Sequence, residues 1–181
     1  PIAQFDSSTA GSVTIGWGAV EDAQGYQVYK VENGTATFLK AVTTTSYTDA
    51  TVSSGKSATY KVRAYQKLAD GTYVYSQFSP EISVVASPGA PTGLKVTTYT
   101  ANSVSLSWNA VSCDGYNIYR TDSISGGYAL VGTVTTNSYT DKNLLSGVKY
   151  TYKIKAYHNG SGSISSSDYS STVSATTSGT A

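Results

Sequence analysis

An internal repeat constrains this chain more than any other feature of its sequence. The segment VTIGWGAV at 13–20 returns as VSLSWNAV at 104–111, an offset of about 91 residues. Further segments return at nearly the same offset: GYQVYK at 25–30 as GYNIYR at 115–120, SYTD at 46–49 and again at 138–141, and TYKVRAY at 59–65 as TYKIKAY at 151–157. Because about 90 residues are enough for a small domain, the repeat predicts two homologous units.

The two units are joined by a short segment rich in Pro and Gly, SPGAP at 87–91. Pro88 and Pro91 each fix one backbone dihedral, so we expect a stiff linker. We predict domains at 1–87 and 88–181. Because the chain begins with Pro1 and shows neither an initiator Met nor a signal peptide, we interpret it as a segment of a longer protein.

Within each unit apolar and polar residues alternate with a period of two, which is typical of strands with one buried face. Tyr, Thr and Val are frequent, and hydrophobic residues reach 39%, enough for a core. We therefore predict an all-β fold, in which each unit is a seven-stranded, immunoglobulin-like sandwich of two antiparallel sheets. The predicted strands are 2–5, 12–18, 25–31, 36–42, 45–48, 58–67 and 73–85, then 93–99, 102–109, 115–121, 127–134, 137–140, 149–158 and 169–176.

The composition disfavours several classes of partner. Charged residues make up 13% of the chain and the formal net charge is +1, which argues against a nucleic-acid-binding protein. The sequence contains no apolar run long enough to cross a membrane, so we expect no membrane insertion. A single cysteine, Cys113, cannot form an internal disulfide. We expect a monomer.

Groups able to carry catalysis are scarce. The only histidine, His158, lies in HNGSGS, which reads as a loop, and Cys113 in SCDG has no His or basic residue beside it. Asp49 and Asp141 follow SYT at equivalent positions, where an aspartate can accept hydrogen bonds from turn amides. No metal, phosphate or cofactor motif is present, so we predict that the chain is not an enzyme and holds no cofactor.

The aromatic residues are the remaining candidates for recognition. Strand parity places the alternate residues Lys61, Arg63 and Tyr65 of the predicted strand 58–67 on its outer side, because the apolar set between them must face the core. The candidate ligand faces are Tyr29, Arg63, Tyr65, Tyr73 and Tyr75 in the first unit and Tyr119, Lys155 and Tyr157 in the second. Two interpretations remain open: cross-strand pairing worth about 0.2–1 kcal/mol a pair, or a platform for sugar rings or a protein partner.

Three features resemble the fibronectin type III module: one Trp in the second strand, Tyr-x-Val/Ile-Tyr in the third, and alternating apolar residues ending in Ala in the sixth. The YKVRAY and SYTD segments are most similar to versions from secreted and cell-surface proteins of Gram-positive bacteria. The resemblance implies non-catalytic extracellular spacer and interaction modules within a larger protein, whose partners are neighbouring domains, with polysaccharide or a surface protein as further partners. A carbohydrate-binding module that uses the tyrosine faces is the alternative.

The resemblance also implies a tyrosine at the corner before the sixth strand. In the family a Tyr three residues after a Gly fixes this corner through its hydroxyl. Gly147 and Tyr150 match the pattern, whereas Gly55 is followed at that spacing by Ala58. We therefore expect either a weaker corner in the first unit or a replacement by Tyr60.

Overall fold

The computed structural model describes residues 1–124, 126–160 and 164–179. The strands of the first unit are β1 (Ala3–Thr9), β2 (Ser12–Trp17), β3 (Gly25–Glu32), β4 (Thr35–Val42), β5 (Ser46–Asp49), β6 (Ser57–Lys67), β7 (Tyr73–Tyr75) and β8 (Ile82–Val85). Those of the second are β9 (Thr92–Tyr99), β10 (Ser103–Asn109), β11 (Gly115–Asp122), β12 (Ala129–Val134), β13 (Ser138–Lys142), β14 (Lys149–Asn159), β15 (Ile164–Ser166) and β16 (Val173–Thr176).

Each unit is a sandwich of two antiparallel sheets. In the first unit one sheet has the order β1-β2-β5, and the other has the order β4-β3-β6, with β7 and β8 both paired to β6. The second unit repeats this arrangement with β9-β10-β13 opposite β12-β11-β14, and β15 and β16 both pair with β14. The predicted all-β fold of two sandwiches is confirmed. Within the described ranges, no helix long and apolar enough to cross a membrane occurs.

The chain divides into two compact units, the first ending at Ala86 and the second beginning at Ser87. The domain boundary that we propose, between residues 87 and 88, lies one residue away. Most predicted strands agree with the observed ones to within about two residues, although β1 continues to Thr9 rather than ending at residue 5. Asn33 and Gly34 form the turn between β3 and β4: both residues have positive φ, 50° and 75°, as a tight hairpin requires.

The prediction of one continuous last strand per unit was wrong. The predicted strand 73–85 is split into β7 and β8, and in the second unit β15 and β16 replace the predicted strand 169–176. Serine hydroxyls occupy the gap in the first unit: the Oγ atoms of Ser76 and Ser79 accept hydrogen bonds from the backbone amides of Ala64 and Val62, at 2.9 and 3.0 Å. Along this stretch of β6 a serine hydroxyl therefore replaces a backbone carbonyl as the acceptor, while the amides of both serines still donate to backbone carbonyls of β6.

The second unit uses the same device. Ser167 Oγ accepts from the amide of Ala156 at 2.9 Å, and Ser170 Oγ accepts from the amide of Ile154 at 3.0 Å. The backbone amides of the two serines donate in turn to the carbonyls of the same two residues. Each unit therefore has a serine-paired segment, residues 76–79 and 167–170, between the two halves of its last strand.

A tryptophan lies in the core of each sandwich. Trp17 and Trp108 are 5% and 3% exposed, and each meets a tyrosine edge-to-face, Tyr26 at 5.4 Å and Tyr116 at 5.2 Å between ring centroids. Neither indole nitrogen has a hydrogen-bond partner among the described residues. Packing rather than hydrogen bonding therefore accounts for the stabilising effect of these side chains.

A buried aspartate joins the two sheets of each unit. Asp49 accepts a hydrogen bond from the amide of Thr51 at 2.9 Å, which confirms the predicted turn contact. Its other carboxylate oxygen accepts from the hydroxyl of Tyr60 at 2.7 Å and from Lys30 Nζ at 3.3 Å. Asp49 thus stabilises the turn after β5, as expected, and in addition links the two sheets through Tyr60 and Lys30.

In the second unit an aspartate makes the same contact with a tyrosine, and its cationic partner is an arginine instead of a lysine. Asp141 accepts from the hydroxyl of Tyr152 and from Arg120 Nη1, both at 2.9 Å. Tyr60 is therefore the counterpart of Tyr152, and the suggestion that Tyr60 replaces the corner tyrosine was wrong.

The predicted corner is present in the second unit. The backbone amide of Leu145 donates to the hydroxyl of Tyr150 at 3.0 Å, so this side chain fixes the connection between β13 and β14. The first unit has Ala58 at the corresponding position and lacks the hydroxyl.

Replacing Tyr150 with Phe is expected to destabilise the second unit by about 1 kcal/mol, because the Leu145 amide loses its acceptor in a partly buried site. Urea denaturation followed by two-dimensional NMR reads each unit separately. Tyr157→Phe is the matched control, because the Tyr157 hydroxyl makes no hydrogen bond to a described residue. Equal effects of the two variants would contradict a specific role for the corner bond.

Candidate functional site

The outward side of β3 and β6 in the first unit carries a continuous group of aromatic and cationic side chains. We call this group the first face; its members are Tyr29, Phe38, Lys61, Arg63, Tyr65, Lys67, Tyr73, Tyr75 and Phe78. The register places Tyr29 opposite Lys61 and Gln27 opposite Arg63. The predicted outer positions therefore do share one side of the sheet.

Arg63 occupies the centre of the first face. Its Nε donates to Gln27 Oε1 and its Nη2 donates to the Tyr29 hydroxyl, both at 2.9 Å. The guanidinium carbon lies 3.9 Å from the centroid of the Tyr75 ring and 5.0 Å from that of Phe78. This arginine is held by two hydrogen bonds and by aromatic rings, which leaves it little rotational freedom.

Two tyrosines of the predicted ligand faces, Tyr65 and Tyr157, are less accessible to a ligand than expected. The Tyr65 ring lies across Gly25, where an added Cβ would come within 2.6 Å of the tyrosine hydroxyl oxygen. Tyr157 covers Gly115 in the same way. Both rings are half-buried, because each covers the backbone of a cross-strand glycine, so their first role is structural.

Both tyrosines of β7 are exposed members of the first face, as are Phe38 and Phe78. Tyr73 and Tyr75 are 48% and 44% exposed, and their rings stack at 6.4 Å with an angle of 19° between planes. Together with Gln27, Ala41 and Tyr65 they line a shallow pocket. This pocket is a concave part of the first face.

Sequence reasoning missed two aromatic members of the first face. Phe78 and Phe38 meet the Tyr29 ring edge-to-face at 5.0 and 5.6 Å. Phe78 stands between the two serines of the serine-paired segment, and Tyr169 occupies the same place in the second unit. The pattern Ser-x-aromatic-Ser, which occurs in both units, is the sequence signal that could have identified these aromatic positions.

The second unit has a smaller face of the same kind. Tyr119 is half-buried and meets Tyr169 edge-to-face at 5.3 Å. Lys153 Nζ lies 3.9 Å from the centroid of Tyr128 and 3.8 Å from that of Tyr169. Lys155 Nζ lies 4.3 Å from the Tyr169 centroid. We call these residues, with Tyr157, the second face.

The remaining reactive groups do not form a site. His158 Nδ1 lies 3.3 Å from Asp114 Oδ2, and its Nε2 lies 3.2 Å from the carbonyl oxygen of Ser112, so this side chain holds the loop before β11. Cys113 is half-buried and packs against the core of the second unit. Among the described residues no group of three His, Cys, Asp or Glu side chains could hold a metal ion.

The fold and these faces define a pair of immunoglobulin-like sandwiches with an aromatic, cationic outer surface. A family model described as Fibronectin type III domain matches residues 89–173. A two-domain fibronectin type III segment from chicken tenascin covers 97% of this chain and 97% of its own length, with a TM-score of 0.52 and 18% identity, a likeness of fold. Residues 89–173 thus match the fibronectin type III family, a non-catalytic domain type, and both units have the sandwich fold of that module.

The chain is also similar to parts of two bacterial enzymes. Exoglucanase B of Cellulomonas fimi is 34% identical over 176 residues, which cover 88% of this chain and 15% of the enzyme. Chitinase A1 of Niallia circulans is 35% identical over 159 residues, which cover 82% of this chain and 22% of the enzyme. The chain thus spans less than a quarter of the length of these relatives.

Proposed function

We propose that this chain is a non-catalytic spacer within a larger, secreted bacterial protein. One observation carries the proposal: similar segments occur in two enzymes whose names specify different polymers, a glucan and chitin. A segment that accompanies different activities has a role that they share, such as separating neighbouring domains. The sandwich fold suits this role, because a folded module keeps its length where a flexible linker does not.

The same comparison supports an extracellular location and neighbouring domains as the first partners. Polymers such as chitin are too large to enter a cell, so an enzyme that degrades them works outside it. We extend this location to the present chain. Polysaccharide and surface proteins remain further candidate partners.

A carbohydrate-binding role is the second candidate function. The observation that favours it is the pocket beside the stacked, exposed rings of Tyr73 and Tyr75. Aromatic rings of this kind offer flat apolar area to a sugar ring. Tyr29 and Tyr65 are less suitable than the sequence suggested, because they are half-buried.

The spacer role is tested by joining a cellulase catalytic domain to a cellulose-binding domain through this chain. We expect direct fusion without the chain to lower turnover of insoluble cellulose and to leave turnover of a soluble substrate unchanged. The double variant Tyr73→Ala and Tyr75→Ala should work as well as the original chain, because a spacer needs the fold and not the rings.

A different outcome would favour carbohydrate binding. The isolated chain would then sediment with cellulose or chitin, and the double variant would remain in solution. Since both rings are exposed, we expect that variant to keep its stability within about 1 kcal/mol, so lost binding would not reflect unfolding.

A further inference from the structure

The cations of the first face form a series along β6. Lys61, Arg63 and Lys67 all point outward from β6, and each lies over an aromatic ring supplied by residues 73–78. The distances to the ring centroids are 4.7 Å from Lys61 Nζ to Phe78, 3.9 Å from the Arg63 guanidinium to Tyr75, and 5.6 Å from Lys67 Nζ to Tyr73. At about 3.4 Å per residue, the series extends roughly 20 Å along the strand.

Carboxylates are nearly absent from the same surface. In β3, β4, β6 and β7, all of which the structure describes, the only carboxylate is Glu32, the last residue of β3. Glu81 precedes Ile82, the partner of Tyr60 across β6 and β8, and this exposed carboxylate forms no ion pair with a described residue. Asp70 lies in the turn after β6, where its carboxylate accepts from the amide of Thr72 at 2.9 Å. Within the described residues Lys61, Arg63 and Lys67 form no ion pair. The face therefore carries a positive charge that the fold itself does not neutralise.

The lysines of this series also keep their hydrogen-bonding capacity. An ammonium group has three N–H donors, and neither Lys61 Nζ nor Lys67 Nζ donates to a described residue. The contacts with aromatic rings restrict the positions of the two ammonium groups, but they leave the N–H donors of these groups available to a ligand. A ligand with acidic groups would therefore meet cations that are already placed, which lowers the entropic cost of binding.

We propose that the first face binds an acidic polysaccharide, with the chain lying along β6. Its carboxylates would pair with Lys61, Arg63 and Lys67, and its sugar rings would pack on Tyr73 and Tyr75. Charge complementarity selects an anionic ligand, and the exposed stacked rings select a sugar over a simple polyanion. The proposal rests on the carbohydrate-binding candidate above and is independent of the spacer role.

The test is calorimetric titration of the whole chain with polygalacturonate, hydroxyethyl cellulose and poly-glutamate. We expect binding to polygalacturonate that weakens as sodium chloride is raised, and weaker or no binding to the other two polymers. Equal affinity for poly-glutamate would overturn the proposal, because charge alone would then explain the binding. Equal affinity for hydroxyethyl cellulose would overturn it too, while supporting neutral carbohydrate binding.

Matched variants locate the site. The double variant Lys61→Gln and Lys67→Gln should weaken polygalacturonate binding about 3- to 10-fold, the effect expected for two exposed ion contacts. Lys95→Gln with Lys142→Gln makes the same change in net charge on exposed positions of β9 and β13 and should leave binding unchanged. Equal losses in both double variants would overturn the assignment to the first face.

A variant that lacks the Tyr73 ring distinguishes the contribution of the sugar rings to binding from that of the carboxylates. Tyr73→Ala should lower the affinity for polygalacturonate and remove its advantage over poly-glutamate. An unchanged preference would overturn the role of the rings. Absence of binding to every polymer would overturn the proposal and the carbohydrate-binding candidate together, and the spacer role would stand.

Discussion

Replacing Trp108 by Ala is expected to unfold the second unit and to leave the first unit folded. The side chain is 3% exposed and packs in the core with Tyr116. Truncation of a buried Trp removes apolar contact and leaves a cavity, which together cost about 3–5 kcal/mol. That cost is a large part of the stability of about 5–15 kcal/mol of an ordinary domain.

The variant provides its own probe. Trp17 becomes the only tryptophan, so fluorescence reports the first unit alone, and calorimetry shows whether a second transition remains. Trp17→Ala is the reciprocal control and should affect the first unit. Loss of both units in either variant, or unchanged transitions in both, would contradict the assignment of one independent core to each unit.

Replacing Asp49 by Ala is the other substitution with a large expected effect, about 2–4 kcal/mol on the first unit. Its carboxylate accepts from the Tyr60 hydroxyl, which is fully buried, and from Lys30. Removal of the carboxylate leaves a buried donor and a partly buried cation without their acceptor. Urea denaturation resolved by unit measures the change, and the second unit should keep its midpoint.

The pH dependence of the first unit tests whether the charge on Asp49 matters. Burial raises the pKa of this carboxyl, but hydrogen bonds from Thr51, Tyr60 and Lys30 outweigh it and lower the pKa to about 2. The unfolded value is near 3.9, so the stabilisation is present above pH 4 and is lost as the pH falls towards 2. From pH 5 to 2 the first unit should lose about 1–2 kcal/mol more than its Asp49→Ala variant. Parallel profiles would contradict this.

The fold could be predicted from the sequence because two signals agree. The repeat defines the units, and period-two alternation defines their strands, since only one face of each sheet is buried. The break in the last strand escaped prediction because SQFSP contains no Gly, Asn or Asp that would mark a turn, and its single Pro stands at the end. Whether a serine hydroxyl or a backbone carbonyl accepts from the amides of β6 is a local competition that a hydrophobic pattern does not report.

The candidate site was predicted in position but not in exposure. Parity placed Arg63 on the outer side, but the burial of Tyr65 depends on Gly25 being directly opposite it across the strands. Phe38 depends on a bulge: β4 pairs Lys40 with Val28 and then Phe38 with Tyr29, which skips one residue. Such a shift changes which face later side chains occupy, and no local sequence signal specifies it.

The serine-paired segments separate the stability of each module from the chemistry of its surface. In Ser76-Gln77-Phe78-Ser79 and Ser167-Asp168-Tyr169-Ser170 the serines are the same, while the two residues between them differ in charge and polarity. Because the serines make the bonds to β6 and β14, those bonds do not depend on which side chains stand between them. A substitution between the two serines therefore changes the side chains on the outer face of the module and leaves the hydrogen bonds of the sheet in place.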